Sequence, residues 1–196
     1  MNIKKIIKFF SEIQNLKRIK REGFRLAGVD SPTSIASHSA LSAQIAYVLA
    51  KMEGANSEKC ALINLFHDNE EVRIGDLHKI NARYIDVNNF EVKAEREHYS
   101  NLDEVGEEIF NLQKEFRKRN TKEGIICKDA DWLECACEAK VYLEKGYKGT
   151  ENWISNIEKA LETESAKKLL QEIKENPDFI NCWWYGLKKM TYKKLS

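Results

Sequence analysis

Hydrophobic and polar positions follow a helical period along most of the chain. In the first 16 residues, apolar side chains recur every three or four positions, which predicts an amphipathic helix: Ile3, Ile6, Ile7, Phe10, Ile13 and Leu16. A second helix is predicted from Ser31-Pro32, where serine can cap the helix and proline suits its first position, to Gly54. The basic stretch 17–30 between them is predicted to be a connection.

Further helices are predicted along the rest of the chain. One begins at Asn56 or Ser57 and runs to His67-Asp68, and a short helical turn at 69–76 stops at Gly75. After a polar region at 77–89, helical patterns cover 90–101, 104–119, 121–145 and 151–174. Sustained alternation of apolar and polar residues, typical of strands, is absent from the sequence. The pattern therefore predicts an all-α fold, which we interpret as one domain over residues 1–196.

Composition narrows the function classes. The 196 residues contain only 9 Gly and 2 Pro, which favours helices over hairpins. The formal net charge of +1 argues against binding to nucleic acid or an anionic membrane, and no apolar run is long enough to span a bilayer. The five cysteines form no CxxC pair, so we expect packed thiols and a reducing, cytoplasmic compartment.

Histidines beside carboxylates are the most informative chemistry. His38 lies on the apolar face of its helix, where a lone histidine is more often a hydrogen-bonded core residue than a ligand. His67-Asp68 ends another apolar helix, and further carboxylates follow it. Asp129 and Asp131 lie within an apolar helix, where charges are costly unless paired or bound to metal. Imidazole with carboxylate suits a divalent transition metal, but periodicity does not separate Asp129 from Asp131 as a ligand.

Four short strings carry a family resemblance. They are Arg21-Glu-Gly23-Phe24, Ser34-Ile-Ala-Ser-His38, His67-Asp-xx-Glu71-Val-xx-Gly-Asp76 and Lys128-xx-Asp131. Together they resemble the HD-domain metal-dependent phosphohydrolases, and more narrowly their 5′-deoxynucleotidase branch. The resemblance covers residues 12–145, the motif-bearing core. It implies an all-helical, usually dimeric enzyme that removes phosphate from deoxyribonucleoside 5′-monophosphates with a divalent metal.

The resemblance assigns the ligands of one divalent ion, which can be Mn, Co, Fe, Zn or Ni. They are His38, His67, Asp68 and Asp131, the last favoured over Asp129 by the family's Lys-xx-Asp pattern. The residue before the first histidine is commonly acidic in the family, whereas this chain has Ser37, which removes a negative charge beside the metal.

The resemblance also assigns the residues around the substrate. Glu71 matches the catalytic carboxylate, and Asp76 matches the acid near the reacting phosphate and sugar. Arg21 matches the phosphate-binding arginine, although a solvated basic patch is the alternative. Phe24 takes a place in the substrate site that usually holds Trp, and so lacks the indole N–H donor.

Other functions remain as alternatives. A nucleotide- or metal-binding regulatory HD protein with little turnover is one, and a phosphodiesterase of the broader HD class is another. A homodimer is predicted from the apolar N-terminal helix and the aromatic cluster 183–185, with the helices of 150–196 packing on the core or at the dimer interface. His78 and His98 are predicted to be surface residues.

Overall fold

A computed structural model describes residues 2–185 of the chain, and within them it contains ten α-helices and no β-strand. The helices, α1 to α10 in chain order, are Ile3–Ile13, Glu22–Leu26, Ile35–Glu53, Ser57–Phe66, Glu71–Ile74, Val87–Tyr99, Asp103–Lys118, Lys122–Glu144, Glu151–Ala160 and Glu164–Glu175. The all-α prediction is confirmed. None of the helices in this range is both long and apolar enough to cross a membrane.

Helix α8 is the centre of the larger core, packed against α3, α4, α7, α9 and α10. Small buried residues such as Ala130, Ala136 and Ala139 let neighbouring helices approach it on several sides. Its ends agree with the sequence, because the Thr121 side chain accepts a hydrogen bond from the Gly124 amide at the first turn. The buried partners of α8 include Leu49 from α3 and Ile63 from α4.

A smaller apolar cluster lies where α1 meets α6 and α7. It contains Phe9, Tyr99, Leu102, Ile109 and Phe110. His98 lies beside it with 1% of its surface exposed, and its ring centroid is 5.0 Å from that of Phe9. The prediction of a surface position for His98 was therefore wrong, because α1 covers this face of α6.

Two predicted helix limits differ from the structure. The second long helix begins at Ile35, capped by Ser34, rather than at Ser31-Pro32. The predicted helix at 151–174 is two helices, since Leu161 adopts an extended conformation and buries its side chain. In both cases the chain bends to meet tertiary partners that a helical period does not report.

The C-terminal region is described as far as residue 185. Trp183, Trp184 and Tyr185 are 75%, 47% and 55% exposed, so they do not belong to the core. Residues 186–196 of the predicted C-terminal segment lie outside the described range.

Candidate metal centre and active site

Four predicted ligands converge where α3, the end of α4 and α8 meet. His38 Nε2 lies 3.2 Å from His67 Nε2 and 3.1 Å from Asp131 Oδ1. Asp68 Oδ2 lies 3.2 Å from His67 Nε2 and 3.5 Å from His38 Nε2. Both imidazoles are buried, and the two carboxylates are largely so. The chain thus brings together two nitrogen and two oxygen donors from three separate segments.

The outer nitrogen of each imidazole already has an oxygen partner. His67 Nδ1 donates to the carbonyl oxygen of Asn64 at 2.7 Å, and His38 Nδ1 contacts the carboxylate of Glu134. A proton on each Nδ1 leaves a lone pair on each Nε2, and these lone pairs face each other within the carboxylates. Such a donor set repels itself unless a positive charge lies between, so it fits a divalent transition metal well.

The pKa values of these histidines and carboxylates shift strongly when no cation lies between them. Burial disfavours a charged imidazole, but Asp68 and Asp131 outweigh it and raise the pKa of His67 to about 10. Burial would raise the pKa of Asp68, yet His67 lowers it to about 2. The cluster is therefore a place where the fold holds negative charge and attracts a positive one.

The two aspartates of α8 have different partners. Asp129 accepts hydrogen bonds from the amides of Glu162 and Thr163, at 3.1 and 2.7 Å. Asp131 instead turns Oδ1 toward the histidines, while Oδ2 accepts from Lys128 Nζ at 2.8 Å. Asp129 joins α8 to the start of α10, and only Asp131 of this pair is placed to contact a metal.

Glu71 and Asp76 lie near Asp68, at the two ends of the short segment that contains α5. Glu71 Oε2 is buried and has no hydrogen-bond partner among the described residues. Burial, followed by the charges of Asp68, Asp76 and Glu70, raises the pKa of Glu71 well above its usual value. The raised pKa favours the protonated form of this carboxyl group.

Arg21 reaches the same place from the start of α2. Its Nη1 lies 3.8 Å from Asp68 Oδ2, and its side chain is 14% exposed. The amides of Glu22 and Gly23, immediately after it, lie close enough to the Asp76 carboxylate to lower its pKa, although burial raises that pKa overall. Asp76 therefore also lies beside the backbone next to Arg21, a proximity that the sequence did not reveal.

Phe24 is a core residue. It is 1% exposed, and its ring stacks on Trp153 and meets Tyr142 edge-on, with centroid distances of 5.8 and 5.1 Å. The prediction that Phe24 contacts substrate is therefore not supported, because its ring is enclosed in the core.

Glu134 and Lys128 are partners of the ligands that sequence reasoning did not assign. Each lies three residues from Asp131 along α8, so helical spacing places all three on neighbouring positions of one face. Glu134 orients His38, and Lys128 orients Asp131. Their spacing from Asp131 indicates these contacts, but only once Asp131 is known to face the histidines.

Comparison with known proteins shows which family the chain belongs to. The protein-family model described as the HD domain matches residues 13–174. The chain belongs to the HD-domain family. As a family member it is a metal-dependent phosphohydrolase, which agrees with the ligand geometry and confirms the predicted enzyme class.

Some relatives of this HD protein have names that specify a narrower activity than the family does. The 5′-deoxynucleotidase HDDC2 of Dictyostelium discoideum is 33% identical over 147 residues, covering 69% of this chain and 76% of the relative. The protein of the same name from Xenopus laevis is 27% identical over 143 residues, covering 72% and 71%. A solved structure of a conserved hypothetical protein from Pyrococcus furiosus superposes with a TM-score of 0.72 at 29% identity, covering 86% of this chain and 98% of that one.

Proposed function

We propose that this HD protein hydrolyses nucleoside 5′-monophosphates to the nucleoside and phosphate, with the deoxy forms preferred. The observation that carries the proposal is the grouping of Arg21, Glu71 and Asp76 around Asp68, beside the two histidines. The Arg21 guanidinium can bind a phosphate ester, and the Glu71 carboxyl group can take part in proton transfer during its hydrolysis. Relatives named 5′-deoxynucleotidase support the same substrate class.

The proposed ligands of one divalent ion are His38, His67, Asp68 and Asp131. When bound, such an ion polarises the phosphoryl oxygens and lowers the pKa of a water molecule. Arg21 binds the phosphate through its planar fork and offsets negative charge as the ester bond breaks. Glu71 holds or releases a proton at the attacking water or the leaving 5′-oxygen, which its unpartnered Oε2 is free to do.

Asp76 has two roles in this proposal. Its carboxylate lies near the amides of Glu22 and Gly23, and we assign it the positioning role of steadying Arg21. A carboxylate has lone pairs for further donors, and we assign these to the 3′-hydroxyl of the sugar. A close fit there disfavours an added 2′-hydroxyl.

Metal reconstitution tests the function directly. Protein stripped of metal is assayed with a panel of ribo- and deoxyribonucleoside 5′-monophosphates while one divalent ion is added back at a time. We expect activity to require the ion and to vanish in His67→Ala and Asp68→Ala together with tight metal binding. Stoichiometric metal in both variants would mean that the site is misplaced, and nucleotide binding without turnover would favour a regulatory protein.

Sugar discrimination is tested by comparing kcat/KM for each ribo and deoxy pair. The wild type should prefer the deoxy form, and Asp76→Asn should reduce that preference as well as phosphate binding. Equal use of both sugars by the wild type would refute the preference. An unchanged ratio in the variant would leave Asp76 with the positioning role alone.

We also propose a homodimer in a reducing, cytoplasmic compartment. Helix α1 exposes an apolar stripe of Ile3, Ile7 and Phe10, at 76%, 58% and 52%, which a second copy would cover. Light scattering should give a dimer for the wild type and a monomer for Ile7→Glu. A monomeric wild type at high concentration would contradict the dimer.

A further inference from the structure

The proposed catalytic carboxylate lies on the shortest α-helix of the described residues. Helix α5 has four residues, Glu71 to Ile74, and ends at Gly75 with φ at 73°. A helix of this length is not stable by itself, because nucleation fixes several residues for one hydrogen bond. Backbone turns at 66–71 join it to the end of α4, and side chains tie it to other neighbouring elements.

Arg73 provides the most specific of these ties. Its Nε and Nη2 donate to the two carboxylate oxygens of Glu12, at 2.5 and 3.2 Å, and its Nη1 donates to Glu97 Oε2 at 3.3 Å. The contact with Glu12 is a bidentate fork, which fixes orientation as well as distance. The two side chains are 24% and 19% exposed, and the pair lies at the protein surface.

Glu12 itself lies beside a buried neighbour. His98 Nδ1, at zero exposure, lies 3.1 Å from Glu12 Oε2, and the His98 ring packs on Phe9. Glu12 and Phe9 both belong to α1, which lies almost entirely before residue 13, where the match to the HD-domain model begins. The fork therefore connects α5 to an element outside the matched domain.

We propose that the Glu12–Arg73 fork is a positioning device, by which α1 sets the place of the Glu71 carboxylate. Arg73 and Glu12 are positioning residues, since neither touches the metal ligands. The inference rests on the proposed role of Glu71. Displacement of a proton-transferring group by about 1 Å can lower the rate by about 10²-fold, so a contact far from the reacting atoms can have a large effect.

A double-mutant cycle in the full-length protein tests the device. Arg73→Met, Glu12→Gln and the combined variant are compared with Arg73→Lys, which keeps the charge but not the fork. Lys174→Met is the matched control, because it breaks a pair with Glu158 on α9, away from α5. The measurements are kcat, KM, the Kd for Mn²⁺ and amide hydrogen exchange at residues 71–75.

We expect each single variant to lower kcat about tenfold while KM and the Kd for Mn²⁺ stay within about twofold. Amide hydrogen exchange at 71–75 should become faster in each single variant. The kcat of the combined variant should be no lower than that of the worse single variant. The kcat of Arg73→Lys should lie between those of Arg73→Met and the wild type. Glu12→Gln is nearly isosteric and keeps the test valid if Arg73→Met folds poorly. The control should match the wild type in every measurement.

Unchanged exchange at 71–75 in both single variants would overturn the proposal, as would effects that simply add in the combined variant. A loss of Mn²⁺ affinity equal to the loss of kcat would also overturn it, because the fork would then act on the metal ligands. If the wild type does not hydrolyse nucleotides, the proposed function fails, but hydrogen exchange still decides whether α1 holds α5.

Discussion

Replacing each of the two aspartates of α8 by alanine should separate fold stability from metal binding. They are two positions apart, which is about 200° around a helix, so each faces a different environment. Asp129 is fully buried and accepts the amides of Glu162 and Thr163. Asp131 faces His38 and His67.

The magnitude follows from the hydrogen bonds of Asp129. Alanine at this position leaves two backbone amides without an acceptor, at about 1 to 2 kcal/mol each, so Asp129→Ala should lose about 2 to 4 kcal/mol of unfolding free energy. For a chain of this size that lowers Tm by about 4 to 16 °C. The metal content should stay at one ion, because none of the proposed ligands is changed.

Asp131→Ala should show the opposite result. It should lose the tightly bound ion, so adding metal should no longer raise its Tm as it does for the wild type. Metal content after dialysis, measured by plasma emission, and calorimetric Tm of both variants make the comparison. An Asp129→Ala protein that loses metal at unchanged Tm, or an Asp131→Ala protein that keeps it, would refute the reasoning.

Three further predictions concern single groups of the site. Glu71→Gln should keep the metal and the fold but lower kcat by roughly 10²–10⁴, and a near-normal rate would remove Glu71 from the mechanism. Arg21→Lys, which loses the planar fork, should lower kcat/KM at least tenfold with unchanged metal content, and equal kinetics would contradict phosphate binding by Arg21. Because the pKa of His67 is raised from 6.5 to about 10, its proton stabilises the metal-free fold fully below about pH 6.5, and this stabilisation is lost as pH rises through about 10. Calorimetric Tm against pH, compared with His67→Gln, measures that loss, and identical profiles would contradict it.

Helix ends could be predicted from the sequence where the residues that determine them lie at the helix end itself. The limits of α8 follow from a capping threonine and a glycine, which act on adjacent backbone groups. The break near Leu161 was not predictable, because the amides it frees are accepted by Asp129, more than 30 residues earlier. Local patterns describe local hydrogen bonds, and this one is long-range.

The candidate site likewise contains contacts that the sequence could predict and contacts that only the fold reveals. His67, Asp68, Glu71 and Asp76 lie within ten residues, so their proximity could be inferred from one string. Contacts such as that of Glu134 with His38 join residues 96 positions apart and required the fold. The family pattern supplied roles by position, but it did not show which way a side chain turns.

The concentration of acids at this site explains why it would favour a bound cation. Burial and the negative charge of Asp68 raise the pKa of Glu71 and of Asp76, so each carboxylate is costly while its neighbours are ionised. Arg21 offsets part of that charge, and a divalent ion at the histidines would offset more. Binding the ion would lower the pKa of Glu71 from its raised position toward its usual range. Metal binding and the readiness of Glu71 to release a proton are then coupled through the charge of Asp68, so the same aspartate that holds the ion also tunes the acid beside it.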